Sequence, residues 1–318
     1  MSAEALSLGL VPWKFHADTL AAALAEQAHQ AEAWGYTSFF LPENHFSPRV
    51  PLPDPLLLLA AAATATTHIR LGTTSWLLPI REPLLAAAQA ASLDQLCEGR
   101  LILGLGRGYS ADMLQAFGVP VGEKRRRLEE VLQRMLAAWS GEPVLKDQSL
   151  VPLPRQQPHP PLWMAAFGPK AIDQAARLGL PYFASPMESL AELSRNYALH
   201  AEALATHEQS ASPTRAIMRT VFISDDRALT DEVHRKLAAQ PRGPLATDNP
   251  PAVEDICILG DANEVAEQVA HYQTALQLTH LVAVRPRITG IPETALRESF
   301  AALPGCIPHS GPTAATAR

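Results

Sequence analysis

Gly99-Arg100-Leu101-Ile102-Leu103-Gly104-Leu105-Gly106-Arg107-Gly108-Tyr109 is the stretch on which the reading of this chain turns. Leu101 to Leu103 and Leu105 do not alternate with polar residues, the pattern of a strand covered on both faces. Gly106 and Gly108 then permit backbone geometry, or a close approach, that a side chain forbids. Arg107 sets a permanent, forked cation at the carboxyl end of the strand, where it suits a phosphate or a carboxylate. Ligands of parallel α/β proteins sit at those ends. On this stretch alone two readings stay open. Arg107 meets an anionic ligand, or it pairs with a carboxylate of the chain while the glycines serve tight packing.

Gly104-x-Gly106 resembles the start of a dinucleotide fingerprint, but Tyr109 stands at the third glycine position. Helical periodicity resumes only near Gly122, too late to bring a helix N-terminus under a pyrophosphate, so a Rossmann site is not expected.

The surrounding chain is built of the same alternation. Strand-like runs fall at residues 6–11, 37–41, 69–73, 101–105, 162–166, 182–184, 216–223 and 281–284. Helical periods separate them. Asp18 is a candidate cap for a helix carrying Leu20, Leu24, Ala28 and Ala31, ended by Gly35. Asp54-Pro55 and Pro83 open the next two helices with proline at the first turn. Further helices are expected over residues 122–139, 169–178 and 263–276. Eight strands alternating with helices predict a closed (β/α)8 barrel with its active-site loops after the strands, and a doubly wound open sheet is the alternative. One barrel domain over residues 1–303 and a frayed tail over 304–318 are expected. Residues 141–161 are proline-rich and read as an irregular loop.

Composition bounds the function. The 318 residues are 47% hydrophobic and 18% charged, enough for a large core and too apolar for a disordered chain. Net charge is −6, and the one basic run, Lys124-Arg125-Arg126-Arg127, falls in a helical period where a solvated face is the ordinary reading. Nucleic acid is therefore not a favoured partner. Cys97, Cys257 and Cys306 are odd in number and far apart, which suits a reducing cytoplasm rather than a disulfide framework or metal cluster. No secretion signal is expected at the start of the chain. The longest apolar run, residues 56–63, is far below the roughly 20 residues of a membrane span. The helices beginning at Pro55 and Pro83 carry Ala and Leu around their whole circumference and must be covered on all sides. A second copy of the chain or packing within one copy would each do this.

In this order and spacing, the segments Gly35-Tyr36-Thr37-Ser38-Phe39-Phe40-Leu41-Pro42-Glu43-Asn44-His45, Asp54-Pro55, Ile69-Arg70-Leu71-Gly72-Thr73, Leu78-Pro79, Leu93-Asp94, Gly99-Arg100, Gly104 to Gly108, Phe117-Gly118 and Gly260-Asp261-Ala262-Asn263-Glu264-Val265 resemble the bacterial luciferase-like family of flavin-dependent monooxygenases. The resemblance implies a (β/α)8 barrel, and the apolar, small-residue helices at Pro55 and Pro83 are the expected face of a homodimer. It implies reduced FMN, supplied by a separate reductase, reacting with dioxygen through a flavin peroxide to oxygenate a small, fairly apolar organic molecule. Two alternatives accompany it: hydride transfer with a deazaflavin, and a flavin-binding protein without chemistry.

The same resemblance assigns roles. Arg107 matches the arginine on the flavin phosphate. Thr73, Thr74 and Ser75 stand beside the isoalloxazine ring, where relatives can hold a non-proline cis peptide. Phe167, Gly168 and Ala171 match the phosphate-binding helix start. Gly168-Pro169-Lys170 makes independent sense there, since glycine permits close approach and a helix N-terminus offers free N–H groups to an anion. Tyr109 is counted with the cofactor-binding residues, and Trp13, Phe46 and Trp76 are further candidates to line the pocket. Asn44 and His45 are the candidate catalytic pair. Relatives often carry histidine where Asn44 stands, and asparagine does not titrate, so aldehyde oxidation with light emission is not expected. His45 keeps a titratable ring, for catalysis or for holding the loop. Glu43, directly after an apolar strand and Pro42, reads as structural. Residues 42–53 and 141–161 are candidate lids.

Overall fold

A computed structural model describes residues 6–15, 19–47, 50–240 and 251–307. Eight parallel strands close into a ring: β1 (Ser7–Leu10), β2 (Ser38–Leu41), β3 (Arg70–Thr73), β4 (Leu101–Gly106), β5 (Leu162–Ala166), β6 (Tyr182–Ala184), β7 (Ala216–Ile223) and β8 (His280–Val284). Each pairs in parallel with the next, and β8 returns to β1 with Ser7 opposite His280 and Leu10 opposite Ala283. The eight strands are those expected from the hydrophobic runs, and closure rules out the open doubly wound sheet.

Period-two alternation divides the strands between two cores. Leu8, Leu10, Phe39, Leu41, Leu71, Leu103 and Leu281 face the helices. Val11, Phe40, Ile102, Trp163, Phe183, Ala216, Met218, Val282 and Val284 fill the inside of the ring. Glycines make that filling possible. A Cβ on Gly72 would lie 2.3 Å from the Phe40 ring, and one on Gly9 would lie 2.9 Å from it. Phe40 therefore lies across the barrel, against Trp163 at 5.7 Å and Phe183 at 6.1 Å between ring centroids.

The helices follow their local signals. Leu20–Trp34 ends at Gly35 with φ 95°; its expected cap, Asp18, lies outside the described residues. Pro55–Ala65 is capped by Asp54, which accepts from Leu56 N and Leu57 N at 3.1 and 3.2 Å. Pro83–Leu96 is capped by Glu82, accepting from Leu85 N at 2.7 Å.

Four features depart from the sequence expectations. A six-residue helix, Ala111–Ala116, capped by Ser110, precedes Lys124–Trp139, so helix resumes earlier than Gly122. Short strands Trp76–Leu77 and Cys257–Gly260 flank β4 and β7. Pro143–Leu145 and Gln148–Ser149 form a hairpin within the stretch expected to be irregular. Finally, Pro304, Cys306 and Ile307 are buried, because Leu303–Cys306 is a 3-10 turn packed on the core. The chain from Pro304 is thus ordered as far as Ile307, and residues 308–318 lie outside the described part.

Candidate active site at the barrel mouth

The carboxyl ends of the strands form one face, and the site grows from close contacts there. Thr73 Oγ1 donates to Gly104 O at 2.8 Å. A Cβ on Gly104 would stand 2.1 Å from Thr73 O, and one on Gly106 would stand 2.0 Å from Ser75 Oγ. The two glycines thus bring β4 against the end of β3. The Thr74–Ser75 peptide held there is cis, as the resemblance implies for this position. Thr74 Oγ1 is buried without a hydrogen-bond partner.

Arg107 follows β4 half-buried, and its guanidinium forms no hydrogen bond or ion pair with any described residue. Its pKa is lowered by burial and then by Arg125. Lys124 joins it, donating to Gly108 O at 3.1 Å, and its pKa falls through burial and the nearby Arg107 and Arg125. The expected solvated face over residues 124–127 is therefore only partly real. Arg125 and Arg126 are exposed, whereas Lys124 and Arg127 turn inward, Arg127 donating to Pro79 O at 2.9 Å. Periodicity shows an amphipathic helix but not which cations its packing turns inward, so Lys124 was not among the sequence candidates.

The neighbouring strand brings the second part of the cluster. β5 lies beside β4 with Met164 opposite Leu105, so half-buried Phe167 and Gly168 follow at the same level as Arg107. Gly168 has φ 79° and precedes helix Pro169–Arg177. Gln174 Nε2 donates to Arg125 O at 3.1 Å and to Glu129 Oε1 at 2.6 Å, tying this helix to the cationic one. Ala171 N closes the first turn on Gly168 O at 3.0 Å, and Lys170 is exposed.

After β2 the chain forms a braced loop. Asn44 N donates to Leu52 O at 2.8 Å. The Glu43 carboxylate, with its side chain wholly buried, pairs with Arg81, meets His45 Nε2 at 2.6 Å and accepts from Leu77 N at 2.8 Å. Burial raises the Glu43 pKa against the opposing pull of Arg81 and His45. Glu43 is therefore a strut, and His45 is anchored at one ring nitrogen. The ring of His45 packs edge-on to Phe117 at 4.7 Å, beside the exposed Phe46.

Other candidates part company. Trp13 packs on Trp34 and Phe300 in the outer core, and Trp76 is fully buried under Arg81. Tyr109 stays at the mouth, 62% exposed. Residues 141–161 lie at the opposite end of the barrel. Helix Lys124–Trp139 carries the chain back to the amino ends, where Gln156 binds Asp94 and Leu101 O at 2.8 Å. They are not a lid. Residues 42–47 and 50–53 remain at the mouth.

This arrangement fits a flavin mononucleotide: an unpaired arginine with a flanking lysine beside a helix start, and an unpartnered buried hydroxyl beside the cis peptide. The chain belongs to the luciferase-like monooxygenase family, whose model matches residues 9–277. It is 29% identical over 173 residues, 52% of this chain and 48% of the relative, to the oxygenase component of flavin-dependent trigonelline monooxygenase from Acinetobacter baylyi. Matches to curated relatives span 30% to 61% of those relatives' own lengths. The fold is similar to the FMN complex of the oxygenating constituent of 3,6-diketocamphane monooxygenase from Pseudomonas putida. That likeness has a TM-score of 0.77, 20% identity, and covers 94% of this chain and 96% of the other. An F420-dependent secondary alcohol dehydrogenase gives 0.74, 17%, 94% and 99%. Among the described residues no helix is long and apolar enough to cross a membrane.

Proposed function

We propose that this chain is the oxygenase component of a flavin-dependent monooxygenase, a single barrel domain that receives reduced FMN from a separate reductase and oxygenates a small organic molecule. The observation carrying this reading is Arg107, a half-buried cation with no partner among the described residues, beside Lys124 and the start of helix Pro169–Arg177. A phosphate there would meet forked and charge-assisted hydrogen bonds. When bound, the flavin supplies the electrons and the activation of dioxygen.

The chain's own residues do the rest. Arg107, Lys124 and Gly168 hold the phosphate, and Thr73, Thr74, Ser75, Tyr109 and Phe167 bound the ring. Asn44 offers a hydrogen bond without taking a proton. His45, fixed by Glu43, is the second catalytic candidate of the loop. Residues 42–53 exclude water. Cys97, Cys257 and Cys306 are all buried, which suits a reducing cytoplasm. Two copies are expected to associate through helices Pro55–Ala65 and Pro83–Leu96, which leave large apolar side chains uncovered.

The likeness to an F420-dependent enzyme supports a second reading, hydride transfer with a deazaflavin in the same mouth. Anaerobic titration with reduced FMN and with reduced deazaflavin separates the two. Reduced FMN is expected to bind, with Arg107→Gln weakening it roughly ten- to a hundredfold, the usual worth of a charged hydrogen bond. Tight binding of the deazaflavin alone would move the second reading to first place. Affinity unchanged by Arg107→Gln would remove the phosphate assignment.

A further inference from the structure

The mouth carries a second pair of cations. β8 ends at Val284, and the chain continues Arg285-Pro286-Arg287-Ile288. β8 and β4 are four strands apart in a ring of eight, so this pair rises from the wall opposite Arg107. Its backbone is pinned. Pro286 and Ile288 are buried, Gln240 donates to Arg287 O, and Lys236 Nζ donates to Thr289 O at 3.1 Å. Arg285 lies over the Phe15 ring, 5.7 Å from its centroid, in the loop after β1. Arg287 stands close enough to Tyr109, in the loop after β4, for that hydroxyl to act on its charge.

Neither guanidinium forms a hydrogen bond or ion pair with a described residue. The carboxylate that follows them, Glu293, is taken by Lys14 at 2.6 Å. Burial lowers the pKa of both arginines, and Arg287 lowers that of Arg285 further. A chain of net charge −6 does not lack carboxylates, yet none among the described residues is set against this pair. Arg285, half-buried, and Arg287, exposed at the rim, are two fixed cations held together against mutual repulsion, and an anion from outside would complete them.

The single phosphate of a mononucleotide is accounted for at Arg107, on the other wall. We infer that Arg285 and Arg287 bind the carboxylate of the substrate, whose apolar body packs beside Phe15. This rests on the flavin monooxygenase reading and narrows its substrate class from a small apolar molecule to a small apolar acid. Arginine suits the task because its planar fork matches both oxygens of a carboxylate.

The test uses the full-length protein and three probe pairs, benzoate, cyclohexanecarboxylate and octanoate, each against its neutral amide, by titration calorimetry. At least one acid is expected to bind roughly ten- to a hundredfold more tightly than its amide. Arg285→Gln with Arg287→Gln abolishes that preference and leaves reduced-FMN affinity intact, which also shows the variant folded. Arg287→Lys, which keeps the charge but loses the fork, retains part of it. Arg107→Gln does the reverse, weakening FMN and sparing the acid preference. If the wild type prefers no acid to its amide, or the preference survives the double variant, the inference is overturned. If the double variant loses affinity for a polyglutamylated deazaflavin while the wild type ignores acids, the pair serves a cofactor tail and the inference is likewise overturned. Failure of reduced FMN to bind, with the acid preference present and dependent on the two arginines, removes the flavin reading alone.

Discussion

Gly104 carries more of the mouth than any charged residue in it. Its missing side chain lets Thr73 O approach to what would be 2.1 Å from a Cβ, and the obstacle is backbone, which cannot swing aside. Gly104→Ala is expected to cost about 1–3 kcal/mol or more. Gly122→Ala, where nothing lies within 4 Å, serves as the neutral control. Urea denaturation of both reads the difference, and equal midpoints would contradict the account. At this scale the sequence was half legible. Arg107 announces itself as a lone cation at a strand end between glycines. Lys124 does not, because four successive cations look alike until helix packing turns two of them inward. Arg285 and Arg287 likewise look like surface residues until closure of the ring brings them to the mouth.

At the scale of elements, the strands of the ring announced themselves and the two outside it did not. Trp76–Leu77 is too short for a period to show, and Cys257–Gly260 pairs with the part of β7 that runs beyond its pairing with β6. Residues 141–161 were legible as a loop but not as a loop of the far end, which depends on the direction of the preceding helix. β8 illustrates a different element property. It starts at His280, half-buried against Trp163 at 4.9 Å, and burial together with Arg70 pushes its pKa down to about 4. The unfolded value is about 6.5, so between these two the unfolded chain takes the proton and the folded one refuses it. The contribution is whole above pH 6.5 and is lost as pH falls towards 4. It amounts to at most about 3 kcal/mol. His280→Gln is expected to lose less stability than the wild type between pH 7 and pH 4.5, measured by urea denaturation. Identical losses would acquit His280.

At the scale of the molecule, the helices that the sequence required to be covered on all sides are not fully covered by the described residues. Leu57 is 72% exposed, Leu85 58% and Leu96 49%. Large apolar side chains exposed on two neighbouring helices suit an association face. Sedimentation velocity is expected to show a dimer, and Leu57→Glu with Leu85→Glu to convert it to monomer with unchanged far-ultraviolet circular dichroism. A monomeric wild type would exclude the pairing. Composition revealed that something must lie on these helices, and the fold shows that the described elements leave Leu57, Leu85 and Leu96 exposed.

The ring of Phe40, propped by Trp163 and Phe183 in the space left by Gly9 and Gly72, gives the barrel a solid floor. The barrel is a cup and not a tube. Whatever binds at the mouth therefore enters and leaves on that one side.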